Sequence, residues 1–197
     1  MTYLYFVRHA QPDYSVKNTL ERPLTAEGLN DRFATLDYFN DIDISAVFSS
    51  NYKRAYDTVK PIADKFGLEV ITDTRLRERF SGEVPCESKE FFRRQWNDFS
   101  YKTRNGECLK EVQERNIEAV KEILRDYKGK SVVIGTHGAS LNAIKNYYDR
   151  RLCHDEFMRT IDFMPYIYEM EFAGEKFVKG EDIFYIEKEF IRPQHVK

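Results

Sequence analysis

Tyr3-Leu4-Tyr5-Phe6-Val7-Arg8-His9-Ala10 and Ser131-Val132-Val133-Ile134-Gly135-Thr136-His137-Gly138 are built alike. Each opens with an apolar, β-favouring run that is continuous rather than alternating, as expected for a strand buried on both faces of a parallel sheet. Each then stops at a histidine followed by a small residue. Where two such strands lie side by side and parallel, their histidines meet beyond the carboxyl edge, the edge at which open α/β sheets bind ligands.

Working outward, Gln11 to Pro23 reads as a polar loop, and Thr25 as the cap of a helix whose apolar positions are Leu29, Phe33, Leu36 and Phe39. Ala46-Val47-Phe48 reads as a short strand that passes through Ser49-Ser50 into a helix from about Lys53, with Val59, Ile62, Ala63 and Phe66 on one face and Gly67 closing it. Val70-Ile71 is another short strand. The stretch 72–105 is irregular, with arginines among aromatic residues, and suits a lid more than a sheet core. Val112, Ile117, Val120, Ile123 and Leu124 predict a long amphipathic helix from Leu109 to about Tyr127, closed by Gly129. Tyr166 to Phe172 and Phe177 to Ile191, split at Ala173-Gly174, predict a hairpin at a sheet edge. The whole is expected to be one domain over 1–197: a three-layer α/β/α sandwich, mainly parallel with an antiparallel addition.

The 197 residues carry 31 Lys+Arg against 33 Asp+Glu, a net charge of −2, so no bulk positive field favours nucleic acid or an anionic membrane, and anions must be met locally. The opening MTYLYFV lacks a basic leader and its apolar run ends at Arg8, which argues against a signal or a membrane span. Cys86, Cys108 and Cys153 are odd in number and far apart, the pattern of free thiols in a reducing, cytoplasmic compartment. His154 and His195 stand in no motif.

Arg8, His9, His137 and Arg54, the last at the start of the helix after Ser49-Ser50, would make a compact cationic pocket. A guanidinium fork and helix amino termini both suit phosphoryl oxygens. At this point the chain resembles the histidine phosphatase superfamily, which holds cofactor-dependent phosphoglycerate mutases and many small phosphatases. The resemblance rests on Arg8-His9-Ala10, Leu24-Thr25-Ala26-Glu27-Gly28, Ser49-Ser50 with Arg54-Ala55 and Thr58, Leu76-Arg77-Glu78, Gly106-Glu107-Cys108 and Thr136-His137-Gly138, in order over about residues 3 to 145.

The resemblance implies that His9 attacks phosphorus and becomes a phosphohistidine, that Arg8, Arg54 and His137 bind the phosphoryl oxygens, and that Glu78 shuttles the proton. Gln11 is a further candidate for substrate binding, and Gln11 and Tyr14 either line the pocket or order the loop. If the segment around Glu78 is extended, Arg77 and Arg79 face away from it. The design calls for no metal and no cofactor. Ala10 stands in place of glycine, Glu21 in place of an aspartate and Cys108 in place of serine. The Trp-Glu-Gly ending after the acid is missing, so Glu83 is a second candidate acid. The expected activity is hydrolysis of small-molecule phosphomonoesters, since the segment 72–105 is short for a mutase. Mutase-type transfer, a non-catalytic phosphate-binding module and a metal site on His9 and His137 are the alternatives. The edge hairpin leaves room for a homodimer.

Overall fold

The structure is a computed structural model that describes residues 1–82 and 88–189. Six strands, β1 (Thr2–Arg8), β2 (Ile44–Ser49), β3 (Val70–Thr72), β4 (Ser131–Thr136), β5 (Phe163–Ala173) and β6 (Lys176–Glu187), form one sheet in the order β3-β2-β4-β1-β5-β6. The first four in that order run parallel, while β5 and β6 are antiparallel additions. The hairpin between them turns at Gly174, whose φ of 64° is the left-handed conformation that glycine adopts without strain. Ile191, where the hairpin was expected to end, lies outside the described residues.

Six helices, α1 (Ala26–Asp31), α2 (Lys53–Lys65), α3 (Lys89–Asn97), α4 (Leu109–Asp126), α5 (Gly138–Tyr148) and α6 (His154–Arg159), complete the described chain together with short 3-10 turns. One face of the sheet, with Leu4, Phe6, Val132 and Ile134, buries the apolar stripes of α4 and α5. The other, with Tyr5, Val7, Val47 and Val133, buries Val59, Ile62 and Ala63 of α2 and Phe39. Both faces of the central strands are therefore covered, the reason their sequences are continuously apolar. No helix among the described residues is long and apolar enough to cross a membrane.

The expected helix through Leu29, Phe33, Leu36 and Phe39 is broken. Only α1 is helical, and 3-10 turns follow at Arg32–Thr35 and Asp37–Phe39. Three residues per turn in place of 3.6 rotate the apolar stripe. Phe39 is fully buried, whereas Leu29 and Phe33 are 38% and 49% exposed.

A third apolar cluster joins Phe91, Phe92 and Trp96 of α3 to Phe157 and Ile161 beside α6. It seats α3 against Ala139 at the start of α5, beside the carboxyl edge of the sheet. Cys108 is buried and Cys153 exposed, both as free thiols, and Cys86 lies outside the described residues.

Candidate active site

The register of the central strands brings the chemistry together. Arg8 pairs with Thr136 and Ser49 with Gly135, and the ladder runs on through His9 N–H to the Thr136 carbonyl (3.1 Å) and Ser50 N–H to the Gly135 carbonyl (3.0 Å). His9, Ser50 and His137 therefore leave three adjacent strands at one level.

His9 is buried, and its Nδ1 lies 2.8 Å from the carbonyl oxygen of Ala10. A carbonyl only accepts, so Nδ1 carries the proton and Nε2 keeps its lone pair. Burial, then the nearby Arg54 and Arg8, hold the imidazole well below its usual range, so the ring is neutral at pH 7. The Ala10 N–H donates to Thr58 Oγ1 (3.0 Å), whose hydroxyl donates to the Arg54 carbonyl (2.7 Å). The threonine of the Arg-Ala-x-x-Thr element thus ties the loop carrying His9 to α2.

His137 is fully buried behind His9, ring centroids 5.2 Å apart. Its Nε2 meets Ser50 Oγ at 2.8 Å, and that oxygen already accepts the Tyr52 N–H at 3.0 Å. The Ser50 proton is therefore free to go to Nε2, which leaves Nδ1–H as a donor; Nδ1 has no partner among the described residues. Burial first, then Arg54 and His9, lower the proton affinity of this imidazole too.

Both arginines are buried and held by peptide carbonyls. Arg8 donates from Nη1 to Thr160 (2.6 Å) and from Nη2 to Ile161 (3.0 Å), while its Nε has no partner among the described residues. A Cβ added at Gly138 would stand 3.3 Å from the Arg8 Cζ, so the glycine after His137 makes room for that guanidinium. Arg54 donates to the Thr19 carbonyl (2.7 Å) and lies over the Tyr52 ring at 4.9 Å. Burial lowers its pKa to about 10, which still leaves it charged at pH 7.

Glu78 sits against the amino terminus of α5. Its carboxylate accepts N–H bonds from Arg79 (2.7 Å), Ala139 (3.0 Å) and Ser140 (3.2 Å), so its position is set by the helix that His137 begins. Arg115 of α4 clamps the same segment from behind, donating to the carbonyls of Arg75 (2.6 Å), Arg77 (2.7 Å) and Glu78 (3.3 Å). Glu107 joins Arg115 to Arg77. Burial pushes the Glu107 carboxyl up, but the bonds from those two arginines outweigh it and hold it at about 2.

A cleft of about 590 Å³, counted to its open mouth, is lined by Arg8, His9, Tyr14, Arg22, Arg54, Glu78, Arg79 and Gly138 on its polar side and by Phe92, Phe157 and Ile161 on its apolar side. Of the expected site residues, Arg8, His9, Arg54 and Glu78 meet there, and His137 stands one layer behind. Gln11 is not among the lining residues: its Oε1 accepts the Thr25 hydroxyl at 3.0 Å. Tyr14 does line the cleft. Glu83 lies outside the described residues. Arg77 turns away to Glu107, but Arg79 enters the cleft beside Glu78, because residues 77–82 are not a regular strand and alternation does not apply. Arg22 and Arg79 had no motif to mark them. The one signal was their charge next to the motif residues Leu24-Thr25 and Glu78.

The profile of the histidine phosphatase superfamily (branch 1) matches residues 4–177. A metal-independent phosphoserine phosphatase of Arabidopsis thaliana is 30% identical over 162 residues, 73% of this chain and 67% of that protein. The phosphoglycerate mutase-like protein 4 of the same plant is 31% identical over 161 residues, 73% and 68% of the two chains. Among solved structures, a mycobacterial glucosyl-3-phosphoglycerate phosphatase superposes with a TM-score of 0.74 at 20% identity, covering 94% of this chain and 99% of its own. The chain belongs to the histidine phosphatase superfamily, branch 1.

Proposed function

We propose that this protein is a phosphomonoester phosphatase that works through a phosphohistidine on His9 and needs no metal. The observation that carries the reading is the bond from His9 Nδ1–H to Ala10, which leaves a neutral Nε2 in a cleft lined by guanidinium groups. Relatives with this family signature include proteins named as phosphatases, one of them as metal-independent.

Nε2 attacks phosphorus as the ester P–O bond breaks, and the leaving oxygen takes a proton from the Glu78 carboxyl. Glu78, now a carboxylate, takes a proton from the water that attacks the P–N bond, and phosphate leaves as His9 regains its lone pair. Arg8 and Arg54, which line the cleft, present their positive charge to the phosphoryl oxygens, whose charge is spread in the transition state, and His137 backs His9 from one layer behind.

The test is turnover of p-nitrophenyl phosphate in excess EDTA, with acid quench to trap labelled protein. The expected result is chelator-insensitive turnover, an acid-labile phosphoenzyme, and loss of both in His9→Ala by at least about a thousandfold. Turnover abolished by EDTA, or retained in His9→Ala, overturns the mechanism. Phosphate transfer to phosphoglycerate faster than to water would make the chain a mutase.

A further inference from the structure

We propose that Asn142 is a positioning residue for the reaction: its side-chain amide fixes the Arg8 guanidinium against the amino terminus of α5. The proposal rests on the phosphatase reading and adds to it a residue that is not among those lining the cleft.

Asn142 lies on α5, one turn after Gly138, and is 3% exposed. Its Nδ2 donates to the Gly138 carbonyl at 3.0 Å and to the Thr160 hydroxyl at 3.1 Å. A carbonyl only accepts, so the atom facing Gly138 is the nitrogen and the orientation of the amide is fixed. Both partners touch Arg8. The Gly138 backbone packs against the guanidinium, 3.3 Å separating its Cζ from where a Cβ would stand, and the Thr160 carbonyl accepts Arg8 Nη1 at 2.6 Å. Asn142 therefore ties together the two backbone segments that bracket the guanidinium. The first of them continues into Ala139 and Ser140, whose N–H groups hold Glu78, so the same amide sets the spacing between the cation and the acid.

Stability does not account for this amide. Its Oδ1 is buried without a partner among the described residues, and an orphaned buried acceptor is costly. Removing the amide would strand neither of its partners. Thr160 Oγ1 keeps its bond to the Glu156 carbonyl at 3.1 Å, and the carbonyl of Gly138, the first residue of α5, keeps its place in the helical ladder. The neighbouring Leu141, Ala143 and Ile144 are buried and apolar, so an apolar side chain at 142 would match its surroundings on the same helix.

Asn142→Leu keeps the branching of the side chain and removes both donor bonds. Its melting temperature should equal or exceed that of the wild type, while kcat/KM on p-nitrophenyl phosphate falls roughly 10- to 100-fold, the effect of misplacing a catalytic group by about 1 Å or less. Inorganic phosphate, which the site binds through Arg8, should inhibit the variant roughly tenfold more weakly. Thr160→Val breaks the same tie from its other end, and the double variant should be no worse than the weaker single one, because both changes remove one link. If leucine is not accommodated and the melting temperature drops, Asn142→Ser takes its place: its hydroxyl can bond back to Gly138 but is too short for Thr160, and the same losses are expected. Wild-type kcat/KM and phosphate inhibition in the folded variant, or losses that multiply in the double one, overturn the assignment and leave the phosphatase reading intact. If the wild type hydrolyses nothing, that reading has failed, and the rise in melting temperature with added inorganic phosphate decides. A rise that Asn142→Leu diminishes supports the assignment, and an equal or absent rise refutes it.

Discussion

His9 and His137 meet edge to face with ring centroids 5.2 Å apart, two neutral imidazoles buried beside Arg8 and Arg54. Burial and those cations disfavour a proton on either ring, so the cluster is built to receive an anion and is poorly served by acid. Once a phosphoryl dianion arrives, it repays the desolvation of both arginines. Binding and nucleophile activation therefore share one electrostatic cause.

The unliganded protein should lose stability as pH falls through about 6.5. Both histidines have folded proton affinities below the unfolded value, so the unfolded chain binds protons that the native state refuses. Their contribution is complete above the unfolded pKa and lost beneath it. Between pH 7.5 and 5.5 the loss should be on the order of 1 kcal/mol for each histidine. Urea unfolding at the two pH values measures this, and His9→Gln should remove about half of the difference. A flat profile over that interval contradicts the neutral pair.

Much of the site was legible because strand ends and short motifs are local. The continuous apolar runs before His9 and His137 located the central strands, and Arg54 followed from its place at the start of α2. What escaped depends on contacts distant in sequence. Arg22 enters the cleft because Pro12 pairs with Leu24 and folds the loop between them over the sheet edge. Arg79 points inward because Arg115, 36 positions later, holds the carbonyls before it. Neither closure has a periodicity. The broken helix after Thr25 failed differently, since apolar spacing does not distinguish 3.6 residues per turn from alternation with 3-10 turns.

Glu107→Gln should impair catalysis through Glu78 without contacting substrate. The carboxylate joins Arg77 and Arg115 and accepts the Phe80 N–H at 2.9 Å, so its neutralisation leaves two guanidinium groups without their counter-charge. Breaking such a pair costs about 3 to 5 kcal/mol when buried, and partial exposure here reduces that to about 2 to 3 kcal/mol. The expected signature is a kcat lowered roughly tenfold or more with KM little altered, because Glu78 shifts while the phosphate ligands stay. A normal kcat would show that the Glu78 segment is held without this clamp.

Gly28→Ala tests the loop that carries Arg22. A Cβ there would stand 2.4 Å from the Gln11 carbonyl oxygen, a backbone atom that moves only with the loop. Thr25, which caps α1 by accepting the Gly28 N–H at 2.9 Å, would be displaced with it. Overpacking of this kind costs about 1 to 3 kcal/mol. The melting temperature should fall accordingly, whereas Gly67→Ala, in open space but at a φ of 64°, pays only backbone strain of about 1 kcal/mol. Equal melting of Gly28→Ala and wild type would mean that the loop yields freely.

Lys145 and Glu156 form a buried ion pair whose service to the site is indirect. Lys145, 1% exposed, donates to Glu156 and to the Tyr166 hydroxyl (3.1 Å) and sits 4.1 Å from the Tyr168 ring centroid. Burial lowers its proton affinity and Glu156 opposes that shift. Glu156 belongs to α6, and the carbonyls of Thr160 and Ile161 just beyond that helix are the ones that hold Arg8. Glu156→Gln leaves the Lys145 ammonium buried without its counter-charge, which should cost about 3 kcal/mol in urea unfolding and lower kcat/KM on p-nitrophenyl phosphate as Arg8 loses its seat. The double change Lys145→Met, Glu156→Leu removes both charges and should recover most of that stability, because a buried pair is often matched by apolar groups of similar volume. If Glu156→Gln costs less than about 1 kcal/mol, or the double variant is no more stable than the single one, the pair is not what anchors α6.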